Sequence, residues 1–144
     1  MIQVDDYCAT DAAELSRHLR VSDLDYLFAL SKSDPIAVLE DCFDEAEKAY
    51  TFHIDGEVVA CMAFTEDNVW LQTNSLTDGR AKEVIRAGRK ALSLLPERSM
   101  FTIAPRDDKR VMLLCKALGF TEQTAEYIDY EGSGIPHVAL WRTL

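Results

Sequence analysis

The chain has little of what marks several large protein classes. Six glycines and four prolines in 144 residues leave no collagen-like or low-complexity tract. No run of roughly eighteen apolar residues occurs, so no membrane-spanning helix is expected. The opening Met1-Ile2-Gln3-Val4-Asp5-Asp6 has neither the basic nor the apolar region of a signal peptide, and an intracellular, cytoplasmic protein is the expectation. The glycines that a P-loop or a dinucleotide fingerprint needs are missing, and nothing resembles a Ser-His-Asp set. The four cysteines, Cys8, Cys42, Cys61 and Cys115, form no Cys-x-x-Cys pair and each sits in an apolar neighbourhood. Reduced, buried thiols are expected rather than a disulfide framework. His18, His53 and His137 lack ligand spacing, so no metal site is expected.

What the chain does have is charge, unevenly placed. The net charge is −10, and residues 1–50 hold twelve acids against four bases, a local −8. Such a surface repels nucleic-acid phosphates and favours cationic partners, an amine or a basic peptide, although acidic faces also serve solubility alone. Residues 76–116 have the opposite balance, ten Lys and Arg against five Asp and Glu.

One domain spanning 1–144 is the reading that length supports. Ile2 and Val4, with Tyr7, predict a first strand. A helix capped by Thr10 or Asp11 follows, with Ala12, Leu15 and Leu19 inward. Ser22 and Asp25 carry capping-box spacing for a second. Asp34-Pro35 opens a third, with Pro at the first helical position. Tyr50–Ile54 and Val58–Phe64 flank Asp55-Gly56, a hairpin signal. Val69–Thr73 is a strand, and Leu76-Thr77-Asp78-Gly79-Arg80-Ala81 is a turn before a helix with Val84, Ile85, Gly88, Leu92 and Leu95. Met100–Ala104 is a strand, Lys109–Leu118 a helix stopped by Gly119, and two strands lie near 122–130 and 136–144. The elements predict an α/β (α+β) domain whose sheet is mostly antiparallel, with a parallel pair at the strand–helix–strand crossover.

Two blocks carry a resemblance. Gly79-x-Ala81 follows a strand and opens a helix, as in a pyrophosphate-binding turn. Pro105-Arg106-Asp107-Asp108 leads into a helix ending in Leu118-Gly119-Phe120. Together they resemble the GNAT acyl-CoA N-acetyltransferase superfamily. Leu76 stands where that family carries Gln or Arg, Asp108 replaces an Asn, and Cys115 occupies the usual Tyr position. The Trp70-Leu71-x-Thr73 strand with its glycine-poor loop is similar in character to GNAT-like proteins of tailed phages, some of them internal virion components.

The resemblance implies a sheet of six to seven strands with four to five helices and acetyl-CoA as co-substrate. It implies that Leu71, Gln72 and Thr73 grip the thioester carbonyl, and that this strand splays from Phe101–Ile103 to admit pantetheine. Gly79, Arg80, Ala81 and Lys82 are the phosphate candidates, with Asp108 at the start of the following helix. Asp78 is the competing possibility, a carboxylate that would cap the same amides. Cys115 is the candidate acid for the leaving thiolate, or a buried small hydrophobe. Tyr127 and Tyr130 are alternative hydroxyls, and Glu66 or Asp67 would act as base through a water. The N-terminal helices would line the acceptor pocket.

Two functions follow as expectations. One is an N-acetyltransferase acting on a cationic amine, small molecule or protein. The other is a non-catalytic GNAT-fold binding or structural protein, for example in a phage particle or in phage–host interaction. The apolar strand Val138–Trp141 also suggests pairing with a second subunit, as a homodimer.

Overall fold

A computed structural model describes residues 1–32, 34–96, 98–127 and 130–142, with residues 122 and 124–127 described by backbone alone. Its elements run β1 (Gln3–Asp6), α1 (Asp11–Ser16), α2 (Val21–Ser31), α3 (Pro35–Asp44), β2 (Lys48–Ile54), β3 (Glu57–Thr65) and β4 (Asn68–Thr73). They continue with α4 (Ala81–Ser93), β5 (Met100–Pro105), α5 (Lys109–Ala117), β6 (Glu122–Tyr127) and β7 (His137–Arg142). Short 3-10 turns occupy Ser75–Thr77 and Tyr130–Gly132. The strands form one sheet in the order β1-β2-β3-β4-β5-β7-β6, antiparallel except where β4 meets β5. No helix among the described residues is long and apolar enough to cross a membrane.

Local signals account for most boundaries. Asp55 and Gly56 both take positive φ, which a tight two-residue hairpin requires. Asp34 Oδ1 accepts from the Ile36 amide at 3.0 Å, capping α3 with Pro35 at its first position. Gly119 (φ 96°) ends α5 in the left-handed region. Gly88 answers to packing, since a Cβ there would lie 2.7 Å from Leu118 Cδ2.

Alternation along the strands divides the core between two faces. Met62, Phe64, Val69, Met100 and Ala104 pack with Val84, Ala91 and Leu92 of α4 and with Phe120 on one face. Cys61 and Ala63 pack with Ala12, Leu15, Leu39 and Phe43 of α1 and α3 on the other. Trp70 joins this second layer, its ring stacked on Phe43 at 5.4 Å.

Four expectations are corrected. The helix expected to open at Ser22 begins one residue earlier, with Arg20 as its extended cap and no side-chain capping bond, so the Ser22–Asp25 capping box does not form. Tyr7 lies beyond β1 and packs on Phe43 at 5.6 Å. Cys8 is exposed, whereas Cys61 is buried and Cys42 and Cys115 are half-buried; all four are free thiols. Strand β7 cannot take up a second subunit along its length, because β5 and β6 pair with it on both sides. Its Val138 and Leu140 are apolar because they belong to the core. Ile128, Asp129, Thr143 and Leu144, included in the two expected C-terminal strands, lie outside the described residues.

Candidate active site

Strands β4 and β5 register at a single pair, Asn68 opposite Phe101, where the Phe101 amide donates to the Asp67 carbonyl at 2.9 Å. Beyond it they diverge. Parity fixes what this exposes. The Asn74 amide donates to Val59 on the β3 side, so even-numbered residues of β4 point their amides toward β3. The N–H and C=O groups of Leu71 and Thr73 therefore face the gap, with no β5 residue opposite. Gln72 Nε2 donates to the Thr73 carbonyl at 2.8 Å, satisfying that acceptor internally.

The gap opens into a cavity of about 700 Å³. Leu71, Gln72 and Thr73 line it from β4, Thr102 to Pro105 from β5, and Asp108, Val111 and Cys115 from α5. Ser22, Asp23, Asp25 and Tyr26 of α2 complete the wall. Of the N-terminal helices only α2 reaches the cavity, and it brings carboxylates.

The expected site residues divide between the cavity and places away from it. Leu71, Gln72, Thr73, Asp108 and Cys115 come together around it. Asp108 also caps α5, its Oδ1 accepting from the Val111 amide at 3.1 Å. Burial, with the nearby Asp108 charge, pushes the Cys115 thiol up to about 11, so it is a protonated thiol at neutral pH. Glu66 does not line the cavity. It lies exposed in the tight β3–β4 turn, about 20 Å along β4 from Gln72 and at the end where β4 and β5 are still paired. A base at that place is not in reach of the gap, and the same holds for Asp67. The side chain of Tyr127 lies outside the described residues. Tyr130 packs on His137, with rings 4.8 Å apart.

Gly79 (φ 77°) sits in the left-handed region, and a Cβ there would meet nothing within 4 Å, so space lies open beside its backbone. Arg80 is the N-cap residue and its side chain does not cap α4, nor does any other side chain among the described residues. Asp78 is not the cap it could have been. Its carboxylate accepts from Arg20 Nε at 3.0 Å. Arg80 reaches Glu83 at 3.4 Å, and Lys82 is exposed. These residues do not line the large cavity, and Arg80 instead borders a shallow one with Asp55, Glu57 and Leu76. A pantetheine-linked diphosphate fits this division. Its arm, which carries two amides, suits the unpaired strand backbone of the β4–β5 gap, and its phosphates suit uncapped amides beside open space.

Tertiary contacts show three positions beside the cavity and its turn that local patterns missed. Arg20 spends its guanidinium on Asp23, Thr73, Thr77 and Asp78, at 2.5 to 3.2 Å, and so ties α2 to the end of β4 and the turn after it. Asn74, fully buried, donates to the Leu15 and Val58 carbonyls and accepts from the Leu76 amide. Tyr26 meets His137 of β7 across 111 residues. An arginine beside a helix start, an asparagine after a strand and a lone histidine carry no signal of their own.

This is the GNAT fold. Solved structures superpose over nearly the whole chain. Ard1 from Thermoplasma volcanium matches with a TM-score of 0.71 at 14% identity, covering 99% of this chain and 97% of its own. Apo YjaB from Escherichia coli matches at 0.70 and 18% identity, with 98% and 97% covered. AAC(6')-Ib in complex with ribostamycin and coenzyme A matches at 0.67 and 15% identity, with 99% and 93% covered. No family model and no curated protein matches the chain. At such identities the likeness shows the GNAT fold, and the chemistry must be argued from the site.

Proposed function

We propose that the protein is an acetyl-CoA-dependent N-acetyltransferase acting on a cationic amine, small molecule or protein. The observation that carries this is the separation of β4 from β5 after Asn68, which leaves the Leu71 and Thr73 backbone facing a cavity of about 700 Å³. Bound acetyl-CoA would supply an activated acyl group. The N–H groups of the β4 segment are placed to polarise its carbonyl, a stabilisation that grows in a dry site. Gly79, Arg80, Ala81 and Lys82 are the phosphate-facing residues on this reading. Asp25 at the cavity wall would favour a cationic acceptor, Asp23 beside it being taken up by Arg20 and Arg110, and AAC(6')-Ib is a GNAT-fold protein solved in complex with ribostamycin and coenzyme A.

Thermal melting tests it. Acetyl-CoA at about a hundred times its dissociation constant should stabilise the fold by about 2.7 kcal/mol, a rise of several degrees. Gly79→Glu should abolish the rise by filling the open space at the turn. No rise up to millimolar acetyl-CoA refutes the proposal.

One observation favours a second reading. Where a hydroxyl would serve a leaving thiolate, Cys115 is a half-buried thiol pushed up to about 11, a reluctant acid. A GNAT-fold binding or structural protein, such as a component of a phage particle, has no need of that acid. A melting shift with acetyl-CoA but no free thiol released over an amine panel would select it.

A further inference from the structure

His137 is fully buried at the start of β7, a place where an imidazole is costly unless both nitrogens are used. Both are. Nδ1 lies 2.7 Å from the Ile135 carbonyl oxygen, and Nε2 lies 2.7 Å from the Tyr26 hydroxyl. A carbonyl can only accept, so Nδ1 carries the proton. In the neutral ring Nε2 is then the acceptor, and the Tyr26 O–H donates to it. Tyr26 in turn lines the cavity that holds Leu71, Gln72 and Thr73. A neutral imidazole is thus joined to the cavity by one phenol.

We infer that Tyr26 and His137 form the proton relay that deprotonates the acceptor amine, with Tyr26 as the catalytic contact and His137 as the positioning residue that receives the proton. This deepens the acetyltransferase reading and rests on it. One N–H bond of the acceptor ammonium breaks and its proton passes to Tyr26 Oη. The proton already on Oη moves to His137 Nε2, so the phenol stays neutral and the imidazole becomes imidazolium. The freed nitrogen lone pair forms the C–N bond to the acyl carbon. The C–S pair leaves on sulfur, which takes a second proton from that nitrogen and departs as a free thiol. The imidazolium returns its proton through Tyr26 to solvent.

The surroundings suit the roles. Burial foremost, then the neighbouring Tyr130 and Asp108, raise the Tyr26 phenol, so it conducts a proton rather than ionising. Burial lowers the His137 imidazole, which keeps it neutral with the Nε2 lone pair in place and makes it a weak base. The titratable and charged groups around the pair include Tyr130 from the 3-10 turn, Tyr127 opposite His137 on β6, Asp107 and Asp108 before α5, Lys109 and Arg110 in its first turn, and Asp23 and Asp25 from α2. Asp23 is already held by Arg20 and, at 3.7 Å, by Arg110. From β5 the residue opposite His137 is Pro105, which does not titrate. The relay supplies within the cavity the base that Glu66 cannot.

The test uses the whole chain as wild type, Tyr26→Phe and His137→Gln. Spermidine, ribostamycin and a peptide with a free N-terminus are the acceptors, and thiol release and acetyl-CoA melting shifts are the readouts. Glutamine can still accept from Tyr26 but cannot take up a proton. The expected result is a fall in kcat of about 10²- to 10⁴-fold in both variants. KM for acetyl-CoA and its melting shift should stay within about twofold. Wild-type kcat/KM should fall on acidification below about pH 6.5, a limb absent from His137→Gln. If that variant fails to fold, Tyr26→Phe, which removes one oxygen, decides alone. Transfer at wild-type rate and pH profile in Tyr26→Phe overturns the relay and leaves the acetyltransferase standing. Acetyl-CoA binding without transfer to any of the three acceptors overturns the relay and selects the binding protein. No acetyl-CoA binding overturns both.

Discussion

Arg20 and Asp78 are 58 residues apart in sequence and joined by a hydrogen bond of 3.0 Å from Nε to carboxylate. The contact settles a competition at the start of α4. A carboxylate two residues before a helix cap is well placed to satisfy the helix amides, and Asp78 instead turns to the guanidinium. Among the described residues no side chain caps the α4 amides. Arg20 is only 16% exposed, and Asp23 beside it 14%. The cluster is therefore a fastening between α2, which walls the cavity, and the turn that would face phosphates.

Removing the fastening should cost more than its exposed end suggests. Arg20→Ala removes the one donor shared by Asp23, Thr73, Thr77 and Asp78, leaving Asp23 only Arg110 at 3.7 Å, and is expected to lower stability by about 2–3 kcal/mol. Asp78→Asn, at a side chain 62% exposed, should cost under about 1 kcal/mol. Thermal melting of the two variants checks the ranking, and equal losses would contradict it.

Asn74 offers a sharper contrast. Asn74→Ala removes the side-chain donor from the Leu15 and Val58 carbonyls and the acceptor from the Leu76 amide, and should cost about 2–3 kcal/mol. Asn74→Asp should be at least as damaging, because it buries a carboxylate against two carbonyls. Urea unfolding midpoints measure both, and an aspartate variant as stable as wild type would rule out this arrangement.

The thiols should separate by reactivity. Cys8 is exposed, while burial pushes Cys42 and Cys61 up to about 12 and Cys115 up to about 11. Native protein at pH 8 should give one fast equivalent with a disulfide reagent, slow reaction at the half-buried Cys42 and Cys115, and reaction of the buried Cys61 only on unfolding. A second fast equivalent would mean that one of the inner thiols is open to solvent.

Stability should also follow the state of His137. Its folded pKa lies below the ordinary value, so the unfolded chain binds the extra proton first. The contribution is fully present above about pH 6.5 and declines as pH falls below it. Denaturation between pH 7.5 and 5 should show wild type losing stability faster than His137→Gln. Parallel curves would show that the imidazole does not titrate with folding.

Local patterns were enough for much of this molecule. Asp55-Gly56, Asp34-Pro35 and Leu118-Gly119-Phe120 each act through near neighbours and marked a turn, a helix start and a helix end. Their expected positions agree with the structure. The Gly79 turn before a basic amphipathic helix was legible for the same reason, and with the Gly119-Phe120 block it pointed to the GNAT fold. The Ser22–Asp25 spacing misled because Arg20, recruited by distant partners, starts α2 a residue earlier. Val138–Trp141 misled because apolar composition does not distinguish a central strand from an edge.

The sequence by itself determined the order and kind of the elements, since helix and strand periods, caps and left-handed glycines depend on residues within a few positions of one another. Only the tertiary structure decided where β4 parts from β5, which partner Asp78 takes, and that Tyr26 meets His137. Those contacts join residues 58 and 111 positions apart. They exist only once burial has brought the elements together and left each polar group to find a partner inside.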